Sequence, residues 1–152
     1  MKKLLLLSGM FVFFSLSLYS QAGKVKGYWL TQEGTSQINI YQSTDGKYYG
    51  KIIWLEEPME EGDIKRDKDN PDPALRKTPL LNLVILKGFE YDAAKKEWKN
   101  GTIYDPKNGK TYDCYMWFNQ GMDNVLQIKG FVLGMRFLGR ESTWTRENAK
   151  RE

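Results

Sequence analysis

Residues 48–55 have the sequence YYGKIIWL, and the tight-turn sequence Thr44-Asp45-Gly46 stands just before them. A short run rich in aromatic and β-branched residues behind such a turn predicts a β-strand. Side chains alternate between the two faces of a strand, so we expect Gly50, Ile52 and Trp54 to share one face.

Seven further segments have the same short, turn-bounded character. They comprise residues 25–31, 37–41, 83–91, 97–104, 110–118, 125–131 and 137–146. Short connections favour antiparallel pairing between sequential strands, and an eight-strand meander can close on itself and so remove its edges. The predicted fold class is all-β, a single antiparallel eight-stranded barrel, and a β-sandwich of the same strands is the alternative architecture.

A long charged segment at residues 56–79 interrupts this pattern after the third strand. Pro71, Pro73 and Pro79 oppose regular ladder pairing in its second half, and a helical turn is expected near residues 73–76. Loops of this length in a compact domain are usually functional or disordered.

The N-terminus carries the three parts of a secretory signal. Lys2 and Lys3 precede an apolar stretch at residues 4–18, and Ser20-Gln21-Ala22 follows with small side chains. The stretch is shorter than the roughly 20 residues of a membrane-spanning helix, which favours a signal peptide at residues 1–22, cleaved before Gly23. We therefore predict a periplasmic or secreted protein with no membrane span after cleavage, a barrel domain at residues 23–147 and a frayed tail at residues 148–152.

Composition excludes several classes of chemistry. The chain has no histidine and one cysteine, Cys114, which excludes histidine-based catalytic triads, imidazole zinc sites and an internal disulfide. Removing Lys2 and Lys3 lowers the net charge from +4 to +2, too little to indicate a nucleic-acid partner. No cofactor is predicted.

Several motifs resemble the family of exported bacterial proteins known as domain of unknown function 2147. The resemblance spans residues 27–146 and rests on Gly27-Tyr28-Trp29-Leu30-Thr31, Gly50-Lys51-Ile52-Ile53-Trp54-Leu55, Asp69-Asn70-Pro71-Asp72-Pro73-Ala74-Leu75-Arg76 and Thr143-Trp144-Thr145-Arg146. It implies a lipocalin-like barrel and no assigned activity. The opening Gly27-Tyr28-Trp29 also looks like the Gly-x-Trp start of lipocalin-type barrels, in which the indole covers the closed end under a cation. Arg140 or Arg146 could supply that cation, as a structural closure.

The segment at residues 111–118 has one wholly apolar face apart from a phenol. Tyr112, Cys114, Met116 and Phe118 are expected to point inward, as are Leu126, Ile128 and Val132. Cys114 then behaves as a small buried hydrophobe. The barrel is either filled by these side chains or leaves room for one small ligand.

An apolar pocket with polar tips would suit the aromatic content of the chain. The candidate ligand-binding residues are Lys51, Trp54, Arg76, Tyr104 and Tyr112, with Lys51 and Arg76 facing an anionic head group. Arg76 is also expected to hold Asp72 and so to fasten the long loop over one barrel mouth.

The acidic residues of the loop indicate two weaker chemistries. Asp67, Asp69 and Asp72 could bind calcium, but Pro71 breaks the EF-hand spacing and neighbouring Lys65, Arg66 and Lys68 neutralise the cluster. Paired carboxylates for a hydrolase would have to come from Glu56, Glu57 and Asp105, which are candidates by residue type alone.

Three functions are compatible with these residues. The leading hypothesis is non-enzymatic binding of a small apolar or lipid-like ligand in the barrel. The alternative is an interaction module that presents residues 56–79 to a protein or an envelope polymer. The third is a carboxylate-dependent hydrolase.

Overall fold

The computed structural model describes residues 21–152, and ten strands account for about half of them. In chain order they are β1 (Gly27–Leu30), β2 (Ser36–Gln42), β3 (Tyr48–Leu55), β4 (Met59–Glu60), β5 (Asp63–Ile64), β6 (Val84–Asp92), β7 (Glu97–Asp105), β8 (Lys110–Phe118), β9 (Val125–Phe131) and β10 (Arg140–Glu147). Two 3-10 turns lie at Pro73–Leu75 and Arg136–Leu138.

Eight of these strands close into one barrel in the order β1-β10-β9-β8-β7-β6-β3-β2, and every neighbouring pair is antiparallel. The predicted eight-strand barrel is therefore confirmed, and the sandwich alternative is wrong. β4 and β5 form a separate two-stranded hairpin inside the long loop, where the sequence pattern predicted no strand. The predicted helical turn near residues 73–76 is present as the first 3-10 turn.

A β-bulge in β3 makes the predicted shared face of Gly50, Ile52 and Trp54 wrong at Trp54. Ile38 on β2 pairs with Ile52, but Gln37 pairs with Trp54, so Ile53 is an extra residue without its own partner. An extra residue reverses the side-chain alternation beyond it. Leu55 therefore packs against the core, whereas Trp54 lies on the outer face beside Arg151.

The middle of the barrel is filled with side chains. Leu86, Phe89, Met116 and Leu126 are fully buried there. Phe89 fits only because position 101 is glycine: a Cβ at Gly101 would overlap the Phe89 ring. The inward face of β8 is as predicted, and Cys114 is 1% exposed. Val132 is not part of the filled core: β9 ends at Phe131, and Val132 begins a loop at the rim, where it is 44% exposed and lines a cavity at the open end.

Aromatic rings close one end of the barrel. Trp29 packs against Phe118 with ring centroids 5.8 Å apart, and Phe118 packs edge-on against Trp98 at 5.4 Å. Each indole donates a hydrogen bond to the N-terminal segment, Trp29 Nε1 to the Val25 carbonyl at 2.8 Å and Trp98 Nε1 to the Ala22 carbonyl at 3.1 Å. The chain that enters β1 therefore seals this end.

The last residues are not frayed, contrary to the prediction. Gln37 is fully buried, its amide donates to the Ala149 carbonyl at 2.9 Å, and its side-chain oxygen accepts from the Arg151 backbone at 3.0 Å. Trp54 Nε1 donates to the Glu152 carbonyl at 2.8 Å. The polar composition of residues 147–152 predicted a solvated tail. Instead, backbone groups of the tail bond to the buried side chain of Gln37 and to the indole of Trp54, which the bulge turns outward.

The predicted signal peptide falls almost wholly on residues 1–20, which lie outside the described residues. Gln21 and Ala22 belong to a helical turn before β1. Within residues 21–152, no helix combines the length and apolar character needed to cross a bilayer.

Candidate functional site

Two adjoining cavities lie at the barrel end opposite the aromatic closure. One, of about 390 Å³, opens into the barrel and is called the mouth cavity here. The other, of about 460 Å³, lies between the barrel rim and residues 56–69 and is called the loop cavity. They share a wall formed by Thr31, Thr35, Ser36, Ile85, Asp105, Pro106 and Lys107.

The mouth cavity has an apolar floor. Ile85, Ile128 and Trp144 line it and are all buried. Ile103 on β7 pairs directly with Tyr112 on β8, and both side chains form part of the wall. Gly130 keeps the wall open, because a Cβ there would come within 3.3 Å of Ile103 Cγ2.

Three side chains of strand β10 line this cavity, and they change from charged to polar to apolar along the strand. Alternation brings Arg140, Ser142 and Trp144 to the same face, from the rim to the floor. Trp144 Nε1 donates to Ser142 Oγ at 3.1 Å, which satisfies the indole within the wall. The side chain of Arg140 makes no hydrogen bond or ion pair with any other residue in the range 21–152, so its positive charge at the rim is unpaired there.

One buried polar atom adjoins both cavities. The hydroxyl of Thr31 is inaccessible to solvent and has no hydrogen-bond partner within the described residues. Thr31 follows the end of β1 and lines both the mouth cavity and the loop cavity. An orphan hydroxyl at such a position is a polar group that a ligand or a water molecule could satisfy.

The loop cavity is rimmed by charges that pair with one another. Lys68 Nζ lies 2.6 Å from Glu60 Oε2, and Lys65 Nζ lies 3.4 Å from Glu57 Oε2. The hydrogen bond from Lys68 lowers the pKa of Glu60. These pairs are largely exposed, so they add little stability. Glu56, Asp69, Asp105 and Lys107 also line the cavity and form no ion pair within the described residues.

A buried contact fastens the long loop to the barrel between the cavities. Tyr104 Oη donates to Asp67 Oδ1 at 2.6 Å, and Asn70 Nδ2 donates to the other carboxylate oxygen at 2.6 Å. Asp67 is fully buried. Burial, followed by the hydrogen bond to Asp67, raises the pKa of Tyr104 above its ordinary value.

Of the five predicted ligand-binding residues, two line the mouth cavity, Tyr104 and Tyr112. Lys51 lies on the outer face, with its Nζ 6.0 Å from the Tyr41 ring centroid. The bulge in β3 turns Trp54 outward, where Arg151 stacks on it at 4.9 Å. Neither Lys51 nor Trp54 lines either cavity. Trp54 was predicted on the wrong face because the bulge was not foreseen, and Lys51 lies on the face of β3 that points away from the interior.

Arg76 does not hold Asp72 as predicted. Its Nε donates to the Asn70 carbonyl at 2.9 Å, while Asp72 accepts from the Ala74 backbone and begins the 3-10 turn. A carboxylate that caps its own turn satisfies a backbone N–H locally, so the guanidinium bonds to a backbone oxygen instead. The loop is fastened to the barrel by Asp67 and Tyr104, and Arg76 shapes it internally.

The calcium candidate is not assembled. Donors of the protein already engage Asp67 and Asp72, and the Asp69 backbone lies against Gly109. Among residues 21–152 there is no cluster of three side chains suited to hold a metal ion.

The two candidate closure residues lie at opposite ends of β10. Arg146 stacks over Trp29 at 4.2 Å and donates to the carbonyls of Lys24 and Lys26. Arg140, six residues away along the strand, is about 20 Å distant and lines the mouth cavity instead. Alternation along β10 predicts that Arg140, Ser142 and Trp144 share one face, and this is the sequence signal for the cavity wall. The signal does not say which end of the strand lies at the open end of the barrel.

These features define a class. A meander of eight antiparallel strands, closed at one end by a stacked tryptophan and open at the other to an apolar cavity, is a lipocalin-like barrel. The protein HP1028 from the human pathogen Helicobacter pylori, described as belonging to the lipocalin family, has a similar structure. The TM-score is 0.69 at 26% sequence identity, over 82% of this chain and 83% of that protein.

The chain belongs to the DUF2147 family, described as an uncharacterized protein conserved in bacteria, whose model matches residues 27–146. This confirms the resemblance seen in the motifs. No curated protein gave a significant match. The lipocalin-like barrel suggests a binding role of unknown specificity, and the family description assigns no activity.

Proposed function

We propose that this protein is an exported, non-enzymatic binding protein that takes up a small apolar or lipid-like ligand in the mouth cavity. The observation that carries the proposal is the contrast between the barrel ends. One end is sealed by Trp29, Phe118 and Trp98, and the other opens to a cavity of about 390 Å³ with a floor of Ile85, Ile128 and Trp144.

The chemistry of the cavity supports an amphiphilic ligand. Its volume falls in the range typical of small-molecule pockets. Apolar groups would lie against the floor, and the hydroxyl-bearing residues Thr31, Tyr112 and Ser142 also line the cavity. Lys107 and Arg140 at the rim would face a polar or anionic head group.

The proposal of export rests on the N-terminal sequence. Fractionation of the native organism, followed by intact mass measurement, should find the protein outside the cytoplasm with Gly23 as its first residue. A full-length chain in the cytoplasmic fraction would contradict export.

Isolation of the native protein tests ligand binding. We expect native mass spectrometry to show the chain with an additional mass, and organic extraction to release an apolar or amphiphilic compound from it. Protein that is uniformly free of any extractable compound, from every fraction of the envelope, would count against the proposal.

A second candidate is binding of a protein or an envelope polymer through residues 56–79. Exposed apolar side chains of Met59, Ile64 and Leu75 on this loop favour it. Substituting Met59→Ser and Ile64→Ser leaves the Asp67 anchor intact and should abolish partner capture. Capture that is unaltered by both changes would argue against this candidate.

The carboxylate-dependent hydrolase has less support. Of the candidate carboxylates Glu56, Glu57 and Asp105, two are already engaged by other groups of the protein. Glu57 pairs with Lys65, and Asp105 accepts hydrogen bonds from the Lys107 backbone and from the Asn108 side chain.

A further inference from the structure

The mouth cavity reaches only part of the way into the barrel. Along β10 its lining runs from Arg140 at the rim to Trp144 at the floor, which is about 13 Å at the rise of a β-strand. Barrel strands are tilted by roughly 35–45°, so the depth along the barrel axis is about 10 Å. A ligand that enters at the rim therefore meets the floor after about 10–13 Å.

The floor is backed by side chains that leave no room beneath it. Trp144 pairs across the sheet with Leu126, and Ile128 pairs with Met116. Leu126 and Met116 are fully buried and line neither cavity. A core packed in this way has few voids larger than a water molecule, so the floor ends the space open to a ligand.

Trp144 is the largest side chain of the floor, and it is held in place. It is buried, and its Nε1 donates to Ser142 Oγ at 3.1 Å. Of the five tryptophans in the chain, Trp144 is the one that lines the mouth cavity. Because packing and a hydrogen bond fix the indole, the end of an apolar chain would meet its ring and stop there.

Beyond Arg140 the cavity wall no longer shields an apolar chain from water. The connection between β9 and β10 forms this part of the wall through Val132 and Leu138, which are 44% and 59% exposed. Charged side chains of both signs also line the mouth: Glu33, Asp105, Lys107 and Arg140. The mouth therefore suits a polar head group, and its charges do not select one sign.

These dimensions set the length of the alkyl chain that the cavity can bury. An extended chain advances by about 1.2 Å per bond, so a depth of about 10–13 Å corresponds to about 8–11 carbons. The volume leads to a similar size. At roughly the 30 Å³ that a water molecule occupies in the liquid, about 390 Å³ holds about 13 non-hydrogen atoms.

We propose that the mouth cavity selects amphiphiles with an alkyl chain of about 8–11 carbons, and that Trp144 is the specificity-determining residue that sets this limit. The head group lies at the mouth, and the end of the chain lies against the indole of Trp144. This selectivity rests on the proposed function, because it requires a ligand in the mouth cavity.

Calorimetric titration with two homologous series tests the length limit. The full-length chain is expressed in its native organism, freed of bound compounds on a lipophilic resin, and titrated with carboxylates from hexanoate to hexadecanoate. Alkyltrimethylammonium ions of the same lengths form the second series, and every ligand is kept below its critical micelle concentration. We expect affinity to rise by about two- to fourfold per methylene up to about ten carbons, and by much less beyond, in both series.

Two substitutions should move the limit in opposite directions. Trp144→Phe removes three ring atoms from the floor and should lengthen the preferred chain by about two carbons. Ser142→Leu fills the level above the floor and should shorten it by at least about two carbons, and it removes no core side chain, so it tests the limit even where Trp144→Phe fails to fold. The matched controls are Trp117→Phe and Thr145→Leu, which should leave the limit unchanged because neither residue lines a cavity.

The loop cavity is the alternative path for a longer chain, because Ile38, Leu55 and Leu80 give it an apolar lining of its own. Leu80 does not line the mouth cavity, so Leu80→Trp should leave the length limit unchanged. A limit that Leu80→Trp shortens would place the end of the chain in the loop cavity and would overturn the proposal.

Tryptophan fluorescence reports where the chain ends. Bromine quenches a tryptophan only at short range, so decanoate brominated at its terminal carbon should quench the emission of Trp144. Decanoate brominated beside its carboxylate should quench much less. The quenching should disappear in Trp144→Phe and persist in Trp117→Phe, and equal quenching by the two isomers would contradict the proposed orientation.

The outcomes distinguish this selectivity from binding itself. Affinity that rises by a constant factor per methylene through hexadecanoate would overturn the length limit and leave the proposed function standing. A limit that neither Trp144→Phe nor Ser142→Leu moves would overturn the role of Trp144. Absence of binding at every chain length would contradict the proposed function and the selectivity with it.

Discussion

Tyr104 Oη donates a 2.6 Å hydrogen bond to the fully buried Asp67 carboxylate, and this contact joins the barrel wall to a loop that begins after β3. The two residues are 37 positions apart in sequence. Tyr104 lines the mouth cavity, and the neighbours Arg66 and Lys68 of Asp67 line the loop cavity, so the contact joins segments that border both cavities.

Removing the Tyr104 hydroxyl should destabilise the protein. In Tyr104→Phe, one oxygen of the buried Asp67 loses its donor, and we expect the free energy of unfolding to fall by about 1–3 kcal/mol. Urea denaturation measures this directly. As a control, Tyr49→Phe removes an exposed hydroxyl that bonds to Asp45 on the outer surface and should cost less than about 0.5 kcal/mol. Equal losses in the two variants would contradict the assigned role.

The same contact should produce a pH dependence. The pKa of Tyr104 is raised in the folded protein, so above the ordinary tyrosine pKa of about 10 the unfolded chain loses a proton that the folded chain retains. The stabilisation is therefore complete below about pH 10 and falls as the pH rises further. We expect the stability difference between wild type and Tyr104→Phe to shrink in alkaline urea titrations. A difference that stays constant with pH would contradict the raised pKa.

The two arginines of β10 should differ sharply in their effect on stability. Arg146 stacks on Trp29 and bonds to the carbonyls of Lys24 and Lys26, so Arg146→Ala should lower the free energy of unfolding by about 2–4 kcal/mol. Arg140→Ala, at the open end, should change it by less than about 0.5 kcal/mol. If chemical denaturation gave similar values for both, Arg146 would not be the closure residue.

Deleting residues 149–152 should cost stability although they are polar and terminal. The deletion removes both the Ala149 carbonyl and the Arg151 N–H that bond to the buried side chain of Gln37, at an expected cost of about 1–3 kcal/mol. It also uncovers Trp54, so the tryptophan emission should shift to longer wavelength. Unchanged stability and emission would show that the tail is frayed after all.

Much of the fold could be predicted from the sequence because its strands are short, alternate regularly and are joined by turn residues. The regular spacing of β7, β8 and β9 gave their pairing order and the inward face that holds Cys114 and Met116. The bulge at Ile53 could not be predicted, because the run Ile52-Ile53-Trp54-Leu55 is apolar throughout and shows no polar position that would mark the change of face. The extra residue is set by pairing with β2.

The site was predicted only in part, and the reason is physical. Tyr104 and Tyr112, two of the predicted ligand-binding residues, line the mouth cavity, and strand alternation predicts the inward face of Tyr112. Arg140 and Arg146 were both candidates for the closing cation, because alternation gives the face of a side chain and not which end of the barrel is open. The anchor between Asp67 and Tyr104 is a long-range contact that no local pattern encodes.

The central claim is that the mouth cavity binds an apolar ligand, and titration with a dansyl-labelled fatty acid tests it most directly. Ser142 lines the cavity, whereas Thr145 is exposed and does not line it. We expect saturable binding by the wild type, a loss of affinity of at least about tenfold in Ser142→Phe, and no change in Thr145→Phe. Saturable binding that survives unchanged in Ser142→Phe, or no binding by the wild type, would contradict the claim.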